Sequence, residues 1–152
     1  MVISNKQNQK DLIELNDLNQ SFELIDLNII GNELSKNKYD ILVFYSDYNL
    51  TINQSILYGY LNCLKINRFE GTVGTLKIPG GAFELPLLTS KIIRKYSPKL
   101  CLVVGCIIKG ETQHYEFLSS TVTNAIRNVS FENNTPILCL LYTSDAADET
   151  GR

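Results

Sequence analysis

L-C-L-V-V-G-C-I-I-K-G-E-T-Q-H-Y-E-F, residues 100–117, is the stretch on which the fold turns. Its first part, Leu100–Ile108, is an apolar run too short to span a bilayer but suited to a strand buried on both faces. Beyond it, Phe117, Leu118, Val122, Ala125, Ile126 and Val129 recur at steps of three and four, which predicts a helix with one buried face. The switch from strand to helix therefore falls at Lys109–His114. Gly110 permits a tight turn there, and Glu111 and Thr112 are suited to capping. The first N–H groups of the helix would face the strand's carboxyl end, where anions bind. His114, the sole histidine, stands beside them. Its imidazole could act there as a general acid and base, or simply be a solvated side chain of the first turn; periodicity alone leaves both open.

The pattern repeats on either side. Tyr39–Tyr45, Y-D-I-L-V-F-Y, has the β-branched and aromatic content of a strand. A polar turn, Ser46–Asn49, leads into a helix marked by Ile52, Ile56, Leu57, Tyr60, Leu61 and Leu64. Thr72–Ile78 reads as a weaker strand, loosened by Gly71 and Gly74 and ended by Pro79-Gly80-Gly81. Phe83–Lys95 reads as a helix that tolerates Pro86 in its first turn and turns Leu87, Leu88, Ile92 and Ile93 inward. The third pair is Leu100–Ile108 with Thr112–Asn128, and Pro136–Tyr142 is a fourth strand. Four strands alternating with three helices give, by right-handed crossovers, an α/β fold: a four-stranded parallel sheet in a three-layer α/β/α sandwich. Ligands of such sheets collect at the strands' carboxyl ends. The polar turns Ser46–Asn49, Pro79–Glu84, Lys109–His114 and Thr143–Asp145 all fall at that edge.

Composition narrows the classes. A chain of 152 residues, 44% hydrophobic, suits one domain with its own core. A net charge of −2, with both signs interspersed, gives no basic footprint for nucleic acid. No 18-residue apolar stretch and no signal-peptide pattern point to a membrane. Cys63, Cys101, Cys106 and Cys139 form no C-x-x-C pair, and three lie in apolar strands, as reduced thiols of a cytosolic protein would. With one histidine and no paired cysteines, a zinc set cannot be assembled locally. Residues 1–38, rich in Asn, Gln, Asp and Leu, follow no period; the first twenty or so read as mobile, and Leu24–Ile30 as a possible strand.

Three blocks, I-P-G-G-A-F-E-L-P (residues 78–86), G-C-I-I-K-G-E-T-Q-H-Y-E-F (105–117) and T-P-I-L-C-L-L-Y-T (135–143), resemble the sequence blocks of the lumazine synthase family. The resemblance covers residues 39–143 as one domain. Residues 1–38 form an N-terminal extension and residues 144–152 a tail outside the pattern. It implies a flavodoxin-like fold and an enzyme of riboflavin biosynthesis. Such an enzyme joins 5-amino-6-(D-ribitylamino)uracil to 3,4-dihydroxy-2-butanone 4-phosphate, giving 6,7-dimethyl-8-ribityllumazine without any cofactor. It also implies cytoplasmic homo-oligomers, pentamers or multiples of them, with a short N-terminal strand adding to a neighbour's sheet. By the same resemblance Tyr48 stacks on the pyrimidine beside Asn49, although Tyr48 alone would pass for a loop-capping surface residue. Ala82, Phe83 and Glu84 line the ribityl chain; Glu84 alone would pass for a helix-dipole partner. Cys106, Ile107 and Ile108 offer backbone to the pyrimidine edge. Lys109, Glu111 and Thr112 surround the phosphate, with the Glu111 carboxylate turned away from it. His114 is the general acid and base.

The chain departs from the pattern at three places. One extra glycine in P-G-G-A-F-E requires the turn before Phe83 to bulge or shift. Cys139 stands where the family has an aromatic that enters the adjacent subunit's substrate site. After Thr143 the family's helical region, with its phosphate-gripping arginine, gives way to S-D-A-A-D-E-T-G-R, as in a truncated or chimeric C-terminus. With that C-terminal helix missing, apolar side chains on one sheet face should be exposed and turnover slow. The alternative readings are a non-catalytic shell or ligand-binding subunit of a lumazine synthase-like assembly, and a flavodoxin-like binding domain. The short, hydroxyl-poor Ser46–Asn49 loop disfavours a flavin phosphate.

Overall fold

The computed structural model describes residues 22–26, 38–110 and 113–145. Most of the N-terminal extension, Glu111, Thr112 and the residues after Asp145 lie outside that description. In chain order the elements are β1 (Glu23–Asp26), β2 (Ile41–Ser46), α1 (Leu50–Ile66), β3 (Thr72–Ile78), a short 3-10 turn (Ala82–Glu84), α2 (Leu85–Tyr96), β4 (Leu100–Lys109), α3 (His114–Asn133) and β5 (Ile137–Asp145). All strand pairs are parallel, in the order β1-β3-β2-β4-β5. The four expected strands and three helices are present, and β1 adds a fifth strand at the edge.

β1 pairs with β3 of its own chain, Glu23 opposite Thr72, whereas the family resemblance implied a neighbouring subunit's sheet. The outer edge of β3 offers it unpaired backbone, and buried Phe22 anchors it against the Phe69 ring, centroids 6.3 Å apart. Gly74 does not loosen β3. It makes room, since a Cβ there would lie 2.7 Å from Leu42 Cδ2 and 3.0 Å from the Tyr39 ring.

All six residues of β2 are buried, as a central strand requires. Leu42 and Phe44 join Val103, Ile107, Ile93, Val122 and Ile126 in the larger core, under α2 and α3. Ile41, Val43 and Tyr45 face the other way, with Leu102, Val104, Leu57 and Leu61 under α1.

Several sequence expectations shift by a turn or a face. The segment starting at Phe83 is first a 3-10 turn and becomes α-helical at Leu85, with Pro86 in its first turn, where its missing N–H costs nothing. In α2 the inward stripe is Leu85, Thr89, Ile93 and Tyr96, so Leu87, about 200° around from Leu85, is exposed. In α3 the buried stripe is Val122, Ile126 and Val129, with Leu118 packed beside it, and Phe117 points to solvent. Thr143–Asp145, read as a polar turn, continue β5 because β4 runs on to Lys109 and supplies partners from Ile107 to Lys109.

Candidate active site

β2 hands over through α1 to β3 on one side, while β4 hands over through α3 to β5 on the other. The order of strands therefore reverses between β2 and β4. At such a reversal the two following loops diverge and leave a crevice outside the carboxyl ends, the usual ligand position in open α/β sheets. The loop after β2 (residues 47–49), the end of β4 at Lys109 and the start of α3 at His114 lie at that edge.

The β2 side is laced to the turn after β3. Backbone N–H groups of Asp47 and Tyr48 donate to the carbonyls of Ile78 and Gly80, each at 2.9 Å. Ser46 Oγ–H donates to the Gly80 carbonyl at 2.8 Å and Oγ accepts the Tyr48 N–H at 3.2 Å. The amide Nδ2 of Asn53, fully buried in the first turn of α1, donates to the carbonyls of Ser46 at 2.8 Å and Tyr48 at 2.9 Å. Two carbonyl partners fix which end of the amide is nitrogen. The Tyr48 main chain is thus held from both sides while its side chain is 59% exposed. Asn49 follows in the left-handed region, at φ 57°, and opens α1.

The expected irregularity at the extra glycine sits at Gly80, whose φ of 96° favours a residue without a Cβ. A Cβ there would also lie 2.8 Å from Glu84 Oε2. That carboxylate oxygen accepts the Gly81 N–H at 2.7 Å and caps the 3-10 turn, so Glu84 does serve a helix start while lying exposed at the carboxyl edge. Phe83 is 64% exposed there, whereas the Ala82 methyl is buried. Gly105 explains the placement: a Cβ on it would come within 3.0 Å of Leu85 Cδ1 and Leu141 Cδ2 and 3.5 Å of Ala82 Cβ. Its bare backbone lets the turn lie directly on β4, and α3 packs against the same turn.

β4 outruns β2. The β2–β4 ladder ends at Tyr45–Val104, while the β4–β5 ladder continues to Lys109–Asp145. Cys106 and Ile107 have buried side chains, Ile108 is half-buried and Lys109 is exposed. His114 is the first residue of α3 and is exposed. The cap residue, Gln113, makes no side-chain hydrogen bond to the helix, so the helix start is not closed by its own cap. Glu111 and Thr112 fall outside the described residues.

Tyr48, Asn49, Phe83, Glu84, Ile108, Lys109 and His114 therefore share the carboxyl edge. Cys139 does not join them within this chain. It lies opposite Val103 in mid-sheet and packs, half-buried, against the larger core. Burial raises the pKa of its thiol. Among the described residues no three His, Cys, Asp or Glu side chains come together as a metal would need, and no helix is long and apolar enough to cross a membrane. Ser46 and Gly80 were legible from the sequence only as members of polar turns at this edge, and Asn53 was not singled out at all. The available signal was Asn53 itself, a polar residue in register with Leu57 and Leu61 on the buried stripe of α1.

The family described as 6,7-dimethyl-8-ribityllumazine synthase matches residues 38–151. The chain belongs to that family. Among its curated relatives of that name, a Prochlorococcus marinus protein is 31% identical over 124 residues, covering 78% of each chain. One from Buchnera aphidicola is 34% identical over 119 residues, 76% of this chain and 73% of that protein. Another from Clostridium kluyveri is 32% identical over 114 residues, 74% and 71% respectively. For a lumazine synthase family member, the crevice at the β2–β4 reversal is the place where sequence blocks and fold topology coincide.

Proposed function

We propose that this chain is a transferase-type lumazine synthase acting in riboflavin biosynthesis. It condenses 5-amino-6-(D-ribitylamino)uracil with 3,4-dihydroxy-2-butanone 4-phosphate to give 6,7-dimethyl-8-ribityllumazine, inorganic phosphate and water. The observation that carries this reading is the position of His114, exposed at the first residue of α3 beside the strand-order reversal.

The chemistry needs three things: two reactants held together, a phosphate retained until it leaves, and a proton carrier. In this reading Tyr48 stacks on the pyrimidine, offset as π-systems prefer, with Asn49 alongside. The backbone of Cys106, Ile107 and Ile108 meets the pyrimidine edge. Ala82 and Phe83 line the ribityl chain, and Glu84 accepts its hydroxyl protons. Lys109, Thr112 and the N–H groups at the start of α3 hold the phosphate, with Glu111 contributing backbone rather than charge. The amine attacks the ketone and water leaves as the imine forms. Phosphate is then eliminated and a second water leaves as the ring closes, with His114 taking and returning protons. The working form is a cytoplasmic homo-oligomer, a pentamer or a multiple of one, in which Cys139 approaches a neighbour's site.

Incubation with both substrates, followed by product fluorescence, tests the assignment. Product should form above the uncatalysed rate, and His114→Ala should lower kcat by about 10²–10⁴-fold. Equal rates in the variant would remove His114 from the mechanism. No product from the native chain would instead favour a non-catalytic shell subunit.

A further inference from the structure

We propose that Asn53, acting with Ser46, is a positioning residue that sets the aromatic platform of Tyr48 and thereby governs affinity for the pyrimidine substrate. This inference rests on the lumazine synthase reading above. An exposed tyrosine at a loop tip would ordinarily waste binding energy, because both its ring and its backbone must be ordered when a ligand stacks on it. Here the backbone is already ordered. The Tyr48 carbonyl is held by Asn53 Nδ2 at 2.9 Å, and its N–H by the Gly80 carbonyl at 2.9 Å and Ser46 Oγ at 3.2 Å. Only side-chain torsions remain free.

Asn53 is also a poor choice for stability alone. It is fully buried, and its Oδ1 has no hydrogen-bond partner among the described residues. A buried polar atom left unpaired is a cost that an apolar residue at the same place on the α1 stripe would avoid. What the amide provides in return is geometric: one NH2 group spans the carbonyls of Ser46 and Tyr48, the last residue of β2 and the platform residue. Through Ser46 Oγ and the Gly80 carbonyl, at 2.8 Å, the same lacing reaches the turn that carries Phe83 and Glu84. The pyrimidine-stacking loop and the ribityl-side turn are therefore set as one unit, 34 residues apart in sequence.

Asn53→Asp keeps the shape but cannot donate when ionised, so it should lose both bonds. Ser46→Ala, a milder change, removes the link to Gly80, the second acceptor for Tyr48 N–H and the long 3.5 Å contact to the Tyr48 carbonyl. Steady-state kinetics with each substrate varied in turn should show KM for the ribitylaminouracil raised about tenfold or more in Asn53→Asp and several-fold in Ser46→Ala. KM for the phosphorylated ketone should stay within twofold. A purely structural role would lower the active fraction, and so the apparent kcat, without splitting the two KM values. Equilibrium binding of an unreactive analogue, with nitro in place of the 5-amino group, gives the same comparison without turnover. If the native chain binds the analogue and both variants bind it equally well, the positioning role is overturned while the enzyme assignment stands. If the native chain neither binds nor turns over, the enzyme reading fails and this inference with it. If Asn53→Asp does not fold, an unchanged pyrimidine KM and analogue affinity in Ser46→Ala overturns the proposal.

Discussion

Asp40 ties three strands together at the amino edge of the sheet. Its Oδ2 accepts the Thr72 N–H at 2.9 Å, its Oδ1 meets Lys99 Nζ at 2.7 Å, and its carbonyl accepts the N–H groups of Lys99 and Leu100. The Lys99 hydrogen bond first, then the one from the Thr72 backbone, hold its carboxyl below the usual carboxylate range. A group whose folded pKa is lowered contributes stability above its unfolded value, near 3.9, and loses it as pH falls through the folded one. Because Lys99 is largely exposed, the pair itself adds little, and Asp40→Asn should cost only about 1 kcal/mol at pH 7. Urea unfolding at pH 7, 5, 4 and 3 should show the gap between native and variant hold down to about pH 4 and then close. A gap constant across that range would detach Asp40's charge from stability. The thiols make a second residue-scale contrast. Burial pushes Cys101 up to about 12, while Cys63 lies exposed on α1. Only thiolates react readily, so an aromatic disulfide reagent near pH 8 should add its first adduct at Cys63 and leave Cys101 untouched until unfolding. Peptide mapping reads this directly, and early labelling of Cys101 would contradict its place in the core.

Elements were legible where period and residue type agreed. Thr72–Ile78 is the strand its sequence describes, and the β4 and α3 boundary sits within two residues of the Thr112 expected from periodicity. Which face a helix buries was less legible. Leu87 and Phe117 are apolar yet exposed, at 62% and 70%, while Thr89, Ser90 and Asn53 are buried. Periodicity weighs residue type, but the buried face is set by how each helix crosses the sheet, and one large side chain off the stripe misleads it. The candidate site divides along the same line. That the loops after β2, β3 and β4 share an edge follows from topology, and the sequence blocks placed chemistry there. The lacing of Ser46, Asn53 and Gly80 was hidden because its acceptors are backbone carbonyls, which every residue carries and no sequence distinguishes.

At the scale of the molecule the sheet is covered unevenly. Among the described residues, α2 and α3 pack together over one face and α1 lies on the other. Leu138 and Leu140, opposite Leu102 and Val104 on the α1 side of β5, remain 48% and 44% exposed. Leu42 is the counterpoint, fully buried over Gly74. Leu42→Ala should cost about 2–5 kcal/mol, and Leu140→Ala less than about 1 kcal/mol, by urea midpoints with unchanged slopes. Comparable losses would mean that Leu140 is covered in solution.

The central place of β2 also bears on how the chain is made. Among the described strands its I-L-V-F-Y-S segment is made second, yet the partners on its two sides are completed only at Ile78 and Lys109. The 63 residues between Ser46 and Lys109 take roughly 3–13 s to synthesise at about 5–20 residues per second. Until Ile78 is made this strand, buried along its whole length in the folded sheet, has neither neighbour, and until Lys109 one of its edges stays open. Shelter by a holdase during translation is the natural requirement of a hub strand that arrives before its neighbours.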